Sequence, residues 1–407
     1  MLTAPLRVLV ALCVFASARS AAAQDYSLSG PHGAGWTTVT VTRPSGSTFS
    51  AQLHYPAQTS GQGAAYDPSG APYPALSFGH GFLQAPSAYQ GTLQHLASWG
   101  YFVIASQSEL SLFPSHQALA NDMRHCLDWL EQQDAAPLSQ YFQQVDTLAF
   151  GMSGHSMGAG CSILASAADA RVVALANLAA ANTNPSAIAA IPLVRCPLSL
   201  ISGSQDGTTP LASNGQLMFN AALSPKLLPV ITGGWHCGFV DVPALGGFGC
   251  DSGSLSKSAQ LALTRRLLAE FFELHLRGND ALWPRVWGSQ MQFDPALTAS
   301  IEPFARVLPF SQRLPGVAGG VVVFAVEVRN TGATPDEFEP LIDGLSWPYS
   351  FSAASTGSLA PGASANLQLT VSVPAGQPAG LERFTVSTRR LSDGASRAFG
   401  LRGVRTF

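Results

Sequence analysis

Charge is scarce in this sequence. Only 11% of its residues are charged, and the formal net charge is -3. No basic stripe argues for nucleic acid, and no acidic run argues for a solvating tail. Lysine is nearly missing: Lys226 and Lys257 are the only two, so positive charge rests on arginine. Long apolar runs are missing as well. No stretch reaches the roughly 18 uninterrupted apolar residues of a membrane helix, so no membrane span is expected. Cysteine is sparse, at six, and none sits at the close Cys-His spacing of a zinc site. Neither a metal nor a cofactor is expected. What is plentiful is hydrophobic material, 46% of 407 residues, enough for about two or three domains with large cores.

The first segment reads as an export leader. Arg7 gives it a positive start, residues 8–16 form an apolar run too short to span a bilayer, and Ala21, Ala22 and Ala23 offer small residues for cleavage. A signal peptide over residues 1–23 is expected, with Gln24 at the mature end. A monomer, secreted or periplasmic, follows. Cys13 leaves with the leader, so five cysteines remain, and an odd count leaves at least one thiol unpaired. Cys237 and Cys250 lie close together in a loop-like stretch rich in Gly and Pro and are the expected disulfide. Cys126 shares an apolar helix face with Leu119, Met123, Leu127 and Leu130, which makes it a small core residue.

Strand and helix patterns alternate up to Gly278. Residues 74–78, 101–105, 147–151, 172–178 and 198–202 read as strands. Residues 90–99, 117–131, 158–168 and 261–276 read as helices. Such alternation predicts an α/β domain over residues 24–285, with a mostly parallel sheet and helices on both faces. Beyond residue 300 the helical period stops. Val322, Phe324, Val326 and Val328 alternate with other residues, as do Leu367, Leu369, Val371 and Val373, and turn signals stand between them. An all-β sandwich over residues 300–407 is expected. Trp347 and Tyr349 are candidates there for an exposed aromatic platform, against a place in the core.

Gly154-His155-Ser156-Met157-Gly158 follows a strand and opens a helix, the context that gives Gly-x-Ser-x-Gly meaning. A sharp turn there lifts the serine hydroxyl clear of the sheet. A serine is a weak nucleophile without a base, and the fold needs an acid and then a histidine in that chain order. Asp206 follows the strand at residues 198–202, and His236 ends Gly233-Gly234-Trp235-His236 on a later loop. Ser156, Asp206 and His236 are the expected catalytic residues. Asp241 and Asp251 are rivals for the acid, disfavoured by chain order. His155, inside the turn, is expected to aim away from the serine oxygen. Two N–H donors must hold the oxyanion: the amide of Met157, and that of Phe82 in the Gly79-His80-Gly81-Phe82 loop, with His80 or Gly81 as fallback. Phe82, His80 and Trp235 are the expected substrate contacts.

These motifs, in this order, resemble the cutinase-like polyester hydrolases, including bacterial PET hydrolases, and their chlorophyllase, dienelactone hydrolase and platelet-activating-factor acetylhydrolase relatives. The resemblance covers about residues 50–278 and implies an α/β-hydrolase acting on carboxylic esters, with an ester, polymeric in some cases, as its partner. It also implies that the Phe82 ring meets an aromatic acyl group. One departure stands out: the polyester hydrolases usually carry a tryptophan after the strand that follows the nucleophile helix, and residues 177–182 hold none. The C-terminal region resembles Ig-like modules of secreted bacterial enzymes through Val328-Arg329-Asn330-Thr331-Gly332, Leu359-Ala360-Pro361-Gly362 and Val373-Pro374-Ala375. The span from Ser156 to Asp206 is too short for a large lid. Two alternatives share these residues: a secreted peptidase or amidase, and a binding protein on an inactive hydrolase fold.

Overall fold

The apolar runs over residues 73–79, 102–106 and 145–155 have no polar side to present to water, so both of their faces must be covered. The computed structural model describes residues 24–247, 250–303, 305–394 and 397–406; the leader expected over residues 1–23 lies outside them. Among the described residues ten strands form one sheet: β1 (Gly33–Thr42), β2 (Thr48–Ala57), β3 (Gly61–Gln62), β4 (Tyr73–Gly79), β5 (Phe102–Ser106), β6 (Val145–His155), β7 (Val172–Leu178), β8 (Leu198–Gly203), β9 (Lys226–Ile231) and β10 (Leu297–Glu302). Their order is β10-β9-β8-β7-β6-β4-β5-β2-β1-β3. From β5 to β9 every pairing is parallel, and β1, β2 and β10 add antiparallel edges.

Alternation along each strand divides the core in two. Phe102 and Ile104 of β5 face one cluster, and Val103 and Ala105 the other. The first cluster is closed by α2 (His116–Ala135) and α3 (Met157–Ala167), through Leu119, Met123, Leu127 and Ile163. The second is closed by α1 (Gln90–Ser98) and by the long helix Lys257–Leu276, through Leu93, Leu96, Leu268, Phe271 and Phe272. Cys126 is fully buried in the first cluster, as its helix face predicts. Ser115 caps α2 by accepting the Ala118 amide at 3.2 Å. No helix among the described residues is long and apolar enough to cross a membrane.

β10 changes one boundary. Its six residues pair with β9 from Leu297↔Ile231 to Glu302↔Lys226, so the sheet ends at Glu302, past the limit at residue 285 expected from sequence. Val286, Trp287, Met291 and Leu297 belong to the second core cluster. The strand Ala305–Leu308 then begins almost at once, in a second region where the described residues form nine strands arranged as two sheets of four and five. Both sheets feed one core, where Phe324 meets Phe384 edge to face at 5.5 Å. Trp347 is buried in that core while Tyr349 is exposed, so the two do not form one aromatic platform. Ion pairs Arg195–Asp343 (2.7 Å) and Arg383–Glu131 (2.5 Å) tie this region to the α/β sheet.

Candidate active site

The site starts from a backbone constraint. β6 ends at His155 and α3 begins at Met157, so the chain reverses at a single residue. That residue, Ser156, sits at φ 56°, ψ -119°, a conformation side chains rarely adopt and one that strains the turn. Glycine is needed on both sides. A Cβ on Gly154 would lie 2.5 Å from the Gly158 carbonyl oxygen, and one on Gly158 would lie 2.2 Å from the Gly79 carbonyl. Their absence lets α3 close on the sheet and presents Ser156 at its edge.

The expected acid and base lie on the loops after β8 and β9. Asp206 follows β8, and its Oδ1 accepts the amides of Thr208 (2.9 Å) and Thr209 (2.7 Å). Its Oδ2 accepts the His236 Nδ1 proton at 2.8 Å and the Thr209 hydroxyl at 2.9 Å. Burial alone would raise the Asp206 carboxyl, but the His236 bond and charge, with the Thr209 amide and hydroxyl, outweigh it and hold the group below its ordinary value. It stays ionised through the neutral range, and its contribution to stability is lost only as pH falls below about 4. A carboxylate at Nδ1 leaves Nε2 free to accept a proton. Ser156, His236, Phe82, Leu83, Gln84 and Thr208 are among the residues lining one cavity of about 370 Å³. No hydrogen bond joins Ser156 to His236 among the described residues, a looseness common before substrate binds. The amides of Phe82 and Met157 have no hydrogen-bond acceptor among the described residues.

The rival acids make other bonds. Asp241 pairs with Arg265 and accepts the Thr92 amide at 3.0 Å. Asp251 accepts three backbone amides, those of Gly207 (2.9 Å), His236 (3.1 Å) and Cys237 (3.3 Å). It braces the loop that carries His236, while the His236 imidazole is held by Asp206. Neither Asp251 in this role nor Thr209 was visible in the sequence, because both act on backbone amides or side chains across loops. Two expected substrate contacts are corrected. His80 is fully buried, with Nε2 2.8 Å from the Ser108 carbonyl, and Trp235 donates its ring N–H to the Leu255 carbonyl at 3.3 Å. Neither is among the residues lining the cavity, whereas Phe82, 46% exposed, is.

Cys237 and Cys250 form the expected disulfide, with both residues on the cavity wall. Cys126, Cys161 and Cys196 are free and buried. The bridge joins residues 13 apart in sequence and ends next to Asp251. By chain entropy it contributes roughly 3 kcal/mol, and Cys250→Ser or reductant should lower the melting midpoint by about 5–10 °C. A scan with and without reductant checks this, and an unmoved midpoint would refute it. Among the described residues no group of three or more His, Cys, Asp or Glu is arranged to hold a metal ion. No curated protein matches the chain. A family model for PET hydrolase-like proteins matches residues 18–236, more than half the chain and all of it from β1 to His236. The chain belongs to the PET hydrolase-like family, a family of hydrolases acting on esters.

Proposed function

We propose that this protein is an exported serine hydrolase that cleaves carboxylic esters through an acyl-enzyme. One observation carries it: His236, paired with the buried Asp206 carboxylate, lines the same cavity as a serine held at a strained strand-to-helix turn. Ser156 Oγ attacks the ester carbonyl carbon as its proton passes to His236 Nε2. The carbonyl electron pair moves onto oxygen, where the Phe82 and Met157 amides receive it. Collapse restores the carbonyl, breaks the ester C–O bond and returns the proton to the leaving alcohol. Water then repeats both steps on the acyl-enzyme, releasing the acid and regenerating Ser156.

The family and the exposed Phe82 ring favour bulky, polyester-type substrates. The absence of a second aromatic side chain over residues 177–182 favours aliphatic polyesters over PET itself. Export is supported by the leader pattern and the disulfide. The C-terminal sheets are read as an Ig-like sandwich that begins near Ala305 and acts as a spacer or binding module.

A fluorophosphonate tests the nucleophile, and a panel of matched esters and amides tests the reaction. One covalent adduct on the peptide containing Ser156 is expected, with ester turnover far above amide turnover. An active protein that is not labelled, or is labelled elsewhere, would overturn the mechanism. Comparable amide turnover would make it a peptidase or amidase.

A further inference from the structure

The x residue of the Gly-x-Ser-x-Gly turn, His155, is left without a role by the chemistry above, yet it lies between the two loops that do that chemistry. Its Nε2 is 3.2 Å from the His236 carbonyl and its Nδ1 is 2.9 Å from the Tyr89 hydroxyl, which in turn is 3.0 Å from the Gly81 amide. Tyr89 and His155 are both buried.

The direction of every bond follows from the groups at the two ends. A carbonyl only accepts, so Nε2 carries the His155 proton. Burial, and then the neighbouring His236, holds this ring well below the ordinary histidine value, so it has one proton and Nδ1 is an acceptor. Tyr89 must therefore donate to Nδ1, and its oxygen is left to accept the Gly81 N–H. The chain runs one way: Gly81 N–H to Tyr89, Tyr89 O–H to His155, His155 N–H to the His236 carbonyl. Glycine is required at its start, because a Cβ on Gly81 would lie 2.8 Å from the Tyr89 oxygen and 3.1 Å from His155 Nδ1.

At its start the chain controls a peptide plane. The Gly81 carbonyl accepts the Gln84 amide at 3.0 Å and lies 2.9 Å from His80 Nδ1. With Gly81 N–H held by Tyr89 and Gly81 C=O held by Gln84, the plane of the 81–82 peptide has little freedom. The Phe82 N–H points opposite that carbonyl. At its other end the chain grips the backbone of His236, whose ring centroid lies 4.5 Å from that of His155.

We infer that Tyr89 and His155 are positioning residues for ester hydrolysis, a buried hydrogen-bond relay that aims the Phe82 oxyanion donor and sets its register with the His236 base. The inference rests on the serine mechanism proposed above. It assigns no substrate contact to either residue. Misplacing a donor or base by a fraction of an ångström costs rate rather than ground-state binding.

The test uses the full chain and a soluble nitrophenyl ester. Tyr89→Phe keeps the ring and removes one oxygen. It should lower kcat by about 10- to 100-fold with KM within about threefold. His155→Gln can still donate to the His236 carbonyl but offers no acceptor at the Nδ1 position, so it breaks the same link. The double variant should be no slower than the slower single variant, because one connection is lost only once. Tyr101→Phe is the control for folding. It removes an equally buried hydroxyl, bonded to Glu273 Oε1 at 2.8 Å, from the same core cluster, and it should leave kcat unchanged. Full kcat in Tyr89→Phe, multiplied losses in the double variant, or an equal loss in Tyr101→Phe would each overturn the relay. Fluorophosphonate labelling of the wild-type chain is independent of all three, so failure of the relay is distinct from failure of the serine mechanism.

Discussion

Ser156→Ala should lower ester turnover by about four orders of magnitude or more and leave the unfolding transition where it was. The two halves of this expectation have separate causes. The hydroxyl oxygen is the only heavy atom lost, and it is the atom proposed to form the acyl bond. What remains is the oxyanion donors and binding, which alone sustain a small residual rate. Stability is spared because the Ser156 side chain makes no hydrogen bond among the described residues, so its removal leaves no buried partner unsatisfied. Alanine inherits the same positive φ, so the strain is carried over rather than released. Asp206→Asn should follow closely, at about 10³- to 10⁴-fold, since an amide NH₂ would face His236 Nδ1 and favour the wrong tautomer. Asp251→Asn should stay within about tenfold, because it disturbs only amide contacts of the base loop. Initial rates for the three variants beside their melting curves are the measurement. A wild-type rate in Ser156→Ala removes the nucleophile assignment, and a dead Asp251→Asn beside an active Asp206→Asn moves the acid.

What could be read from sequence divides along locality. The turn at Ser156 is specified within a dozen residues: an apolar strand, two obligatory glycines, and a helix of small residues that closes on the sheet. The Cys237–Cys250 bridge is equally local, and it forms. The relay through Tyr89 was invisible because it joins residues 66 apart, through a tyrosine whose neighbours give no sign of a polar task. His80 and Trp235 failed as substrate contacts for a related reason. Each is close in sequence to a site residue, but proximity in sequence does not fix where a side chain goes: His80 is buried against the Ser108 carbonyl, and the Trp235 ring bonds the Leu255 carbonyl. β10 was missed because its alternation is weak. Leu297, Ala299 and Ile301 alternate with Thr298, Ser300 and Glu302 over only six residues, which a loop also tolerates.

That missed strand bears on where the catalytic region can be cut. A chain ending at residue 285 should be insoluble or inactive, whereas one ending at residue 303 should fold and turn over a soluble ester within a few-fold of the full chain. The shorter cut removes Val286, Trp287, Met291 and Leu297, all buried in the cluster beneath the helix Lys257–Leu276. Fully burying a side chain of this size is worth roughly 1.5–3 kcal/mol, so the four together rival a whole folding margin of about 5–15 kcal/mol. The cut also strips β9 of its outer partner, β10, leaving a row of unpaired amides and carbonyls at the edge. The damage lands near the chemistry. The Thr232 amide, just after β9, bonds the Ala296 carbonyl at 3.0 Å, and Thr232 begins the loop that ends at His236. Cutting at residue 303 spares all of this. It gives up the ion pairs to the sandwich, including Arg195–Asp343 and Arg383–Glu131. Such pairs at partly exposed positions contribute little, about 0–1 kcal/mol each. It also gives up the edge contact of Phe310 with His275 at 5.2 Å, a modest loss. Soluble yield, far-UV circular dichroism and turnover of a nitrophenyl ester by the two truncated chains decide the matter. If the chain ending at 285 matches the full chain, β10 is an accessory to the sheet. If the chain ending at 303 is dead, the sandwich supports the catalytic region through that interface, and the two are one folding unit.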